Sequence, residues 1–124
     1  MIVGIGIDIV DVNEFQNEID HRPNEWLERV FTSAEQTYCK NEADPYRGFA
    51  GTLAAKEAAL KALGTGWTDQ SDLRDVEVVR ANNRPEPVLH RGALQTSDGL
   101  NVTRSFVSIT YTRDFAAAVV VLEA

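Results

Sequence analysis

The chain opens on strict alternation, because residues 2–10 read Ile-Val-Gly-Ile-Gly-Ile-Asp-Ile-Val. A period of two predicts a β-strand. One face of this strand carries Ile5, Ile7 and Ile9, and the other carries Gly4, Gly6, Asp8 and Val10. Asp8 therefore ends a stripe that has no side chains. Such a stripe admits either a ligand close to the backbone or a closely packed helix.

Three short helices are predicted after this strand. Asp11 is the expected N-cap of the first helix, which ends before His21, and Asn24 is the expected N-cap of the second. Thr32 and Glu35 have the spacing of a capping box, in which each side chain bonds the other residue's backbone N–H, and this pair opens the third helix.

The longest predicted helix runs from about Tyr46 to Leu63 and is rich in alanine and leucine. These residues favour helix strongly, and Gly64 supplies the stop. Four more strands and one short helix are predicted, with the strands at 76–81, 87–90, 105–112 and 115–122 and the helix at 92–95. Asn82 and Asn83 can take the positive φ of a hairpin turn. Because strands and helices cluster without β-α alternation, the pattern favours an α+β fold over a doubly wound sheet.

The length of 124 residues predicts one domain spanning 1–124. So short a chain offers little depth, so a site for a large ligand can require a second subunit. Twelve Lys and Arg against nineteen Asp and Glu give a net charge of −7, which argues against a nucleic-acid partner. With no signal peptide, no apolar run long enough for a membrane span and the single thiol Cys39, we expect a cytoplasmic protein without a membrane partner.

The residue pair most suggestive of chemistry is Asp8 with Glu57. Two carboxylates leave positions open for water and substrate phosphates, which is how proteins usually hold Mg²⁺. An alternative is that Glu57 forms a surface ion pair with Lys61, four residues later. Both interpretations stay open on the residues alone.

Three basic residues on the same predicted helix are candidates for binding phosphate. Lys56 and Lys61 carry point charges on flexible stems, and Arg47 lies near the helix start, where free N–H groups also favour anions. His21 and His90 lack both a nucleophile elbow and metal-ligand spacing, so hydrolysis by a Ser/His/Asp triad has little support.

Several motifs in the same order resemble the holo-acyl-carrier-protein synthase family of 4′-phosphopantetheinyl transferases. The two most specific are Gly-Ile-Gly-Ile-Asp-Ile-Val-Asp over 4–11 and Ala-Ala-Lys-Glu-Ala-Ala-Leu-Lys-Ala-Leu-Gly-Thr-Gly over 54–66. The similarity continues at 29–32 with Glu35, at 83–85 and at 107–110. It covers nearly the whole chain.

The resemblance implies a 4′-phosphopantetheinyl transferase-like α+β fold, with a mostly antiparallel sheet and one long helix. It also implies a homotrimer with active sites between protomers. The implied reaction, which serves fatty acid biosynthesis, moves the 4′-phosphopantetheine group of coenzyme A to a serine of an acyl carrier protein or carrier domain. Adenosine 3′,5′-bisphosphate leaves.

The family's functional residues carry over by position. Asp8 and Glu57 match the Mg²⁺ ligands, and Glu57, or a water that it orients, would take the serine proton. Lys61 would offset phosphate charge and act as the second catalytic residue. The implied contacts to coenzyme A come from Arg47, Lys56, Lys61, Gly64, Gly66 and Tyr111.

Three positions depart from the family pattern. Thr52 replaces an arginine expected near the phosphates, Tyr111 replaces a histidine, and Glu14 replaces an arginine that faces an acidic carrier protein. The reversal at Glu14 predicts a preference for a less acidic carrier surface, such as a carrier domain built into a large synthase. A rival interpretation is a trimeric coenzyme A or nucleotide-binding or interaction protein that has lost transfer activity.

Overall fold

The structure is a computed structural model that describes residues 1–65 and 72–124. The first half contains β1 (Ile2–Asp11), α1 (Val12–His21), α2 (Pro23–Val30), α3 (Ser33–Lys40) and α4 (Pro45–Leu63). The second half contains a short 3₁₀ helix (Leu73–Asp75), β2 (Val76–Ala81), β3 (Arg84–Leu89), α5 (Arg91–Gly99), β4 (Arg104–Tyr111) and β5 (Phe115–Glu123). The clustering of helices and strands confirms the predicted α+β class.

Both sheets are antiparallel. The larger has the strand order β1-β5-β4, and β2 pairs with β3 in a separate hairpin. The face of β5 that lies under α4 carries Ala116, Ala118, Val120 and Leu122, all of them buried. The small side chains of Ala116 and Ala118 leave room for the helix to lie close to the sheet.

The packing of α4 on β1 depends on two glycines. A Cβ atom at Gly6 would lie 1.9 Å from the carbonyl oxygen of Ala58, and one at Gly4 would lie 2.1 Å from that of Ala62. No side chain fits at such distances, so only glycine allows this approach. The interpretation of the glycine stripe as a helix-packing surface is therefore correct, and it fixes the position of Asp8 relative to α4.

The small helices begin largely as predicted, with one correction. Asp11 accepts a hydrogen bond from the backbone N–H of Glu14 at 3.1 Å, and the Thr32 capping box is present. Asn24, however, is not the N-cap of α2, because the helix begins at Pro23 and Arg22 is its N-cap, two residues earlier than predicted. Proline suits a first helical position, since its φ is already helical and it has no N–H to leave unpaired.

The second half also departs from the prediction at two boundaries. Asn82 and Asn83 do form the hairpin turn, with φ values of 55° and 61°. β3 starts at Arg84, earlier than expected, because a strand of a two-stranded sheet has a free edge that tolerates proline. α5 is longer than the predicted 92–95 because its mostly polar sequence hides the helical period. Among the described residues, no helix combines the length and hydropathy that a membrane crossing requires.

Candidate active site

Asp8 lies on the β1 face that packs toward α4, and its side chain is only 12% exposed. Lys61 donates a hydrogen bond to Asp8 Oδ1 at 3.0 Å and another to the carbonyl oxygen of Ile7 at 3.1 Å. Asp8 Oδ2 is buried and has no hydrogen-bond partner among the described residues. Leaving a buried carboxylate oxygen unpaired is costly, so this atom is suited to binding a cation.

Glu57 lies on α4 one helical turn before Lys61, the residue that contacts Asp8. Gly4 contacts Ala62, and Gly6 contacts Ala58. A step of two residues forward along β1 therefore corresponds to a step of four residues backward along α4. Continuing this register places Asp8 about one helical turn beyond Ala58, toward the start of α4. Helical side chains lean toward the N-terminal end of their helix, which agrees with the observed reach of Lys61 to Asp8, and we expect the same lean for Glu57.

The donor set of Asp8 and Glu57 fits a magnesium ion. The described residues contain no group of three or more His, Cys, Asp and Glu side chains that could enclose a metal. Mg²⁺ needs no such group, because it commonly keeps one or two protein carboxylates together with water and phosphate oxygens. The unpaired Oδ2 of Asp8 is the observation that supports this fit.

Lys61 is an accessible charged group beside Asp8, with 55% of its side chain exposed. It lies one helical turn after Glu57 on α4. Its ammonium group combines a fixed partner in Asp8 with a solvent-facing side on which a phosphate oxygen can bind. The structure thus pairs Lys61 with Asp8, a contact that the sequence pattern did not indicate, and the role of Lys61 beside the phosphates stays a prediction.

Gly64 ends α4 in the left-handed conformation, with φ of 80°. A Cβ at this position would meet no atom within 4 Å, so the requirement for glycine comes from the backbone angle. The chain turns away from the helix at a point one turn beyond Lys61. Gly66, the other predicted glycine contact, lies outside the described residues.

Lys56 requires a correction, because its surroundings differ from those of a phosphate ligand. The side chain is fully buried, and its Nζ lies 2.5 Å from Glu35 Oε1. Glu35 also accepts hydrogen bonds from the backbone N–H groups of Thr32 and Val78. Burial lowers the pKa of Lys56, and Glu35 acts in the opposite direction. Lys56 thus joins α4 to α3 and β2 and has no surface to offer a ligand in this protomer.

Arg47 and Tyr111 form part of a second group on the first half of α4. The Arg47 guanidinium lies 5.6 Å from the centre of the Tyr111 ring. A Cβ at Gly51 would lie 2.5 Å from the Tyr111 hydroxyl, so the phenol packs directly against the helix backbone. Burial raises the pKa of Tyr111, and the nearby Arg80 opposes this shift.

Arg80 is a charged residue of this second group that the sequence analysis missed. It comes from β2 and donates a hydrogen bond to Thr52 Oγ1 at 3.0 Å. The only signal in the sequence is a basic residue within a strand whose alternate positions, Val76 and Val78, are apolar. That signal does not indicate which helix Arg80 packs against or which side chain it contacts.

Comparison with known proteins gives a consistent answer. A sequence model of the 4′-phosphopantetheinyl transferase superfamily matches residues 4–120. The holo-[acyl-carrier-protein] synthase of Koribacter versatilis is 41% identical over 124 residues, covering 99% of each chain. That of Geobacter metallireducens is also 41% identical and covers 99% of this chain and 98% of its own.

Solved structures agree in fold. The Helicobacter pylori holo-[acyl-carrier-protein] synthase in complex with coenzyme A has a TM-score of 0.85 at 30% identity, covering 96% of this chain and 99% of its own. The Bacillus anthracis synthase, in complex with CoA (3′,5′-ADP), has a TM-score of 0.77 at 34% identity, covering 100% and 98%. The chain therefore belongs to the 4′-phosphopantetheinyl transferase superfamily, within its holo-[acyl-carrier-protein] synthase family.

Proposed function

We propose that this chain transfers the 4′-phosphopantetheine group of coenzyme A to a serine of an acyl carrier protein, with Mg²⁺ held by Asp8 and Glu57. Family membership supports the reaction. The observation that carries the site assignment is the buried, unpaired Oδ2 of Asp8 beside the half of α4 that holds Glu57 and Lys61.

The reaction exchanges one phosphorus–oxygen bond for another. The serine oxygen bonds to the β-phosphorus of coenzyme A, the bond to the bridging oxygen breaks, and adenosine 3′,5′-bisphosphate leaves. When bound, Mg²⁺ supplies charge neutralisation at the diphosphate oxygens. Glu57 accepts the serine proton directly or through one water, and Lys61 binds a phosphate oxygen with its solvent-facing side.

The proposal includes a homotrimer, on the strength of an apolar sheet face that α4 does not cover. Ile5, Ile7 and Ile9 of β1 are 67%, 69% and 66% exposed. They lie across from Val121, Val119 and Ala117 of β5, and Phe106 of β4 extends the same face. A contiguous apolar face of this kind marks an association surface. A cytoplasmic location remains an expectation from the sequence.

The carrier partner is a protein whose docking surface is less acidic than that of a free carrier. α1 presents Glu14 and Glu18 to solvent, and neither takes part in an ion pair among the described residues. Like charges at a docking surface lower the association rate. Glu14→Arg should raise the transfer rate to a free acidic carrier several-fold while leaving the rate to a less acidic carrier domain unchanged. An unchanged rate on the acidic carrier would refute the docking proposal.

Mass spectrometry of a carrier incubated with the protein, coenzyme A and Mg²⁺ tests the function itself. We expect the carrier to gain the mass of one phosphopantetheine group, and to gain nothing when the metal is chelated. Binding of coenzyme A without any mass gain would favour the rival interpretation of a coenzyme A-binding protein that has lost transfer. Transfer that is insensitive to chelation would contradict the metal assignment.

A further inference from the structure

The carboxylate of Glu35 lies where α3, α4 and β2 meet, and both of its oxygens have partners. The residue is 1% exposed. Oε1 accepts hydrogen bonds from Lys56 Nζ on α4 and from the backbone N–H of Thr32. Oε2 accepts one from the backbone N–H of Val78 on β2. Two of the three donors belong to the backbone, so a carboxylate of fixed position holds the Lys56 ammonium group.

A second carboxylate supports this junction from the surface. The Thr32 hydroxyl donates to Glu77 Oε2 at 2.7 Å, and Glu77 Oε1 lies 3.2 Å from His90 Nε2. His90 has 40% of its side chain exposed, whereas the Lys56 side chain has none. A continuous series of hydrogen bonds therefore runs from the start of α5 at the surface to the buried side of α4. Because hydrogen bonds are directional, the series restrains Lys56 to one place.

Stability alone is a poor explanation for a buried ion pair. Moving two charges out of water offsets much of their mutual attraction, and a well-packed apolar pair of similar size is often as stable. The surroundings of Lys56 would suit an apolar side chain, since its Nζ lies 5.6 Å from the centre of the Phe31 ring. What the ion pair adds is direction. The small alanine side chains around α4 give the helix little of this.

Lys56 and the contact with β1 hold α4 from opposite sides. Lys56 and Ala58 are two residues apart, which corresponds to about 200° around a helix, and Ala58 packs on Gly6. Glu57 lies between them in sequence and in angle. A rotation of α4 by about 20° would move a side-chain tip at about 5–6 Å from the axis by about 2 Å. A misplacement of about 1 Å can lower a catalysed rate by about 100-fold.

We propose that Lys56 and Glu35 form a positioning pair, which sets the rotation of α4 and thereby the direction of the Glu57 carboxylate. This inference rests on the proposed function, because it takes Glu57 as a ligand of the metal. Both side chains of the pair are buried in the protomer, so they act through α4 and not by contact with the substrate. Loss of the pair should therefore weaken metal binding more than it weakens the fold.

The double variant Lys56→Met with Glu35→Gln tests the pair, because it removes both charges and keeps side chains of similar size. The matched control is Lys40→Met with Glu28→Gln, which removes one lysine and one glutamate from exposed positions on α3 and α2. Mn²⁺, which prefers the same oxygen ligands as Mg²⁺, is titrated into each protein, and electron paramagnetic resonance measures the free ion. Urea unfolding and the rate of transfer are measured on the same samples.

We expect the positioning variant to bind Mn²⁺ at least about fivefold more weakly and to transfer at least about tenfold more slowly. Its urea midpoint should stay close to that of the wild type. The control should match the wild type in all three measurements, and an equal loss of Mn²⁺ affinity in the control would overturn the inference.

Unchanged Mn²⁺ affinity in the folded positioning variant, whatever its stability, would show that the pair is only structural and would leave the proposed function intact. Should that variant not fold, Glu35→Asp keeps both charges and withdraws the carboxylate by one methylene. It should bind Mn²⁺ about twofold or more weakly, because Lys56 must follow the carboxylate, and unaltered binding would overturn the inference. A wild type that binds no Mn²⁺ and transfers nothing would refute the proposed function itself.

Discussion

The two oxygens of the Asp8 carboxylate have different surroundings. Oδ1 accepts a hydrogen bond from Lys61, and Oδ2 is buried without a partner. Two carboxylates and one ammonium group, those of Asp8, Glu57 and Lys61, sum to a charge of about −1 at neutral pH. A divalent cation reverses that sign, and a diphosphate can then bind next to both carboxylates. The local charge therefore predicts that diphosphate binding depends on the metal.

Asp8→Asn should abolish this dependence while preserving the shape of the side chain. We expect the transfer rate to fall at least about 100-fold, because the amide is a poor ligand for Mg²⁺ and carries no charge. The rate is measured by mass spectrometry of the carrier over time, across a magnesium titration. Asp98→Asn, which removes an exposed carboxylate from α5, is the matched control and should keep the wild-type rate. Normal transfer by folded Asp8→Asn would refute the metal assignment.

The positions of individual site residues could be predicted from the sequence only where a local pattern determined them. The alternation of β1 put Asp8 after the glycines, and the family motif paired it with the second half of α4. Lys56 was misread because α4 is buried on nearly every side and so shows no polar stripe to mark which lysine faces inward. Arg80 was missed because only long-range packing of β2 on α4 brings it to Thr52.

At the level of elements, the contact between β1 and α4 decides where the candidate site lies. At Gly4 and Gly6 the backbone of β1 packs directly against the backbone of α4, with no side chain between them. Element types and the glycine contact could be predicted from periodicity and composition. Several element ends could not, because the start of α2 and the extent of α5 depend on a proline position and on a weak helical period.

Gly6→Ala should move β1 and α4 apart. The new Cβ would lie 1.9 Å from a backbone oxygen, so α4 must shift, and we expect a loss of about 3 kcal/mol or more in the free energy of unfolding. Urea unfolding followed by circular dichroism measures this loss. The control is Gly99→Ala, where the added Cβ meets nothing within 4 Å and should change stability by less than about 1 kcal/mol. Equal stability of Gly6→Ala and the wild type would contradict the packing argument.

On the scale of the whole molecule, the larger sheet has one face covered by α4 and one face left open. The open face is apolar on β1 and β5, where Ile7 lies opposite Val119, and it is mixed on β4, where Phe106 alternates with Ser108 and Thr110. An isolated protomer would expose this surface to water, at a cost that association removes. The exposed isoleucines therefore support association of protomers, and the number of three in the proposal comes from the family resemblance.

Ile7→Glu places a charge in the middle of that face. We expect it to convert the trimer to monomer, because burying an unpaired carboxylate between protomers is strongly unfavourable. Light scattering coupled to size-exclusion chromatography gives the mass, and circular dichroism checks the fold. Leu94→Glu makes the same change at an exposed position on α5 and should leave the mass unchanged. A monomeric wild type, or an Ile7→Glu variant of unaltered mass, would refute the assembly proposal.

One face of β1 carries the exposed isoleucines, and the other carries the glycines and Asp8. Because side chains alternate along a strand, a change of register affects both faces at once. Inserting or deleting a single residue between Gly4 and Asp8 would turn the isoleucines inward and the aspartate outward. A two-residue change would restore the facing but move Asp8 by about 6.6 Å along α4. Natural variation in length is therefore expected in the loops and not in this strand, since the insertion of one residue would displace the proposed metal ligand and the proposed subunit contact together.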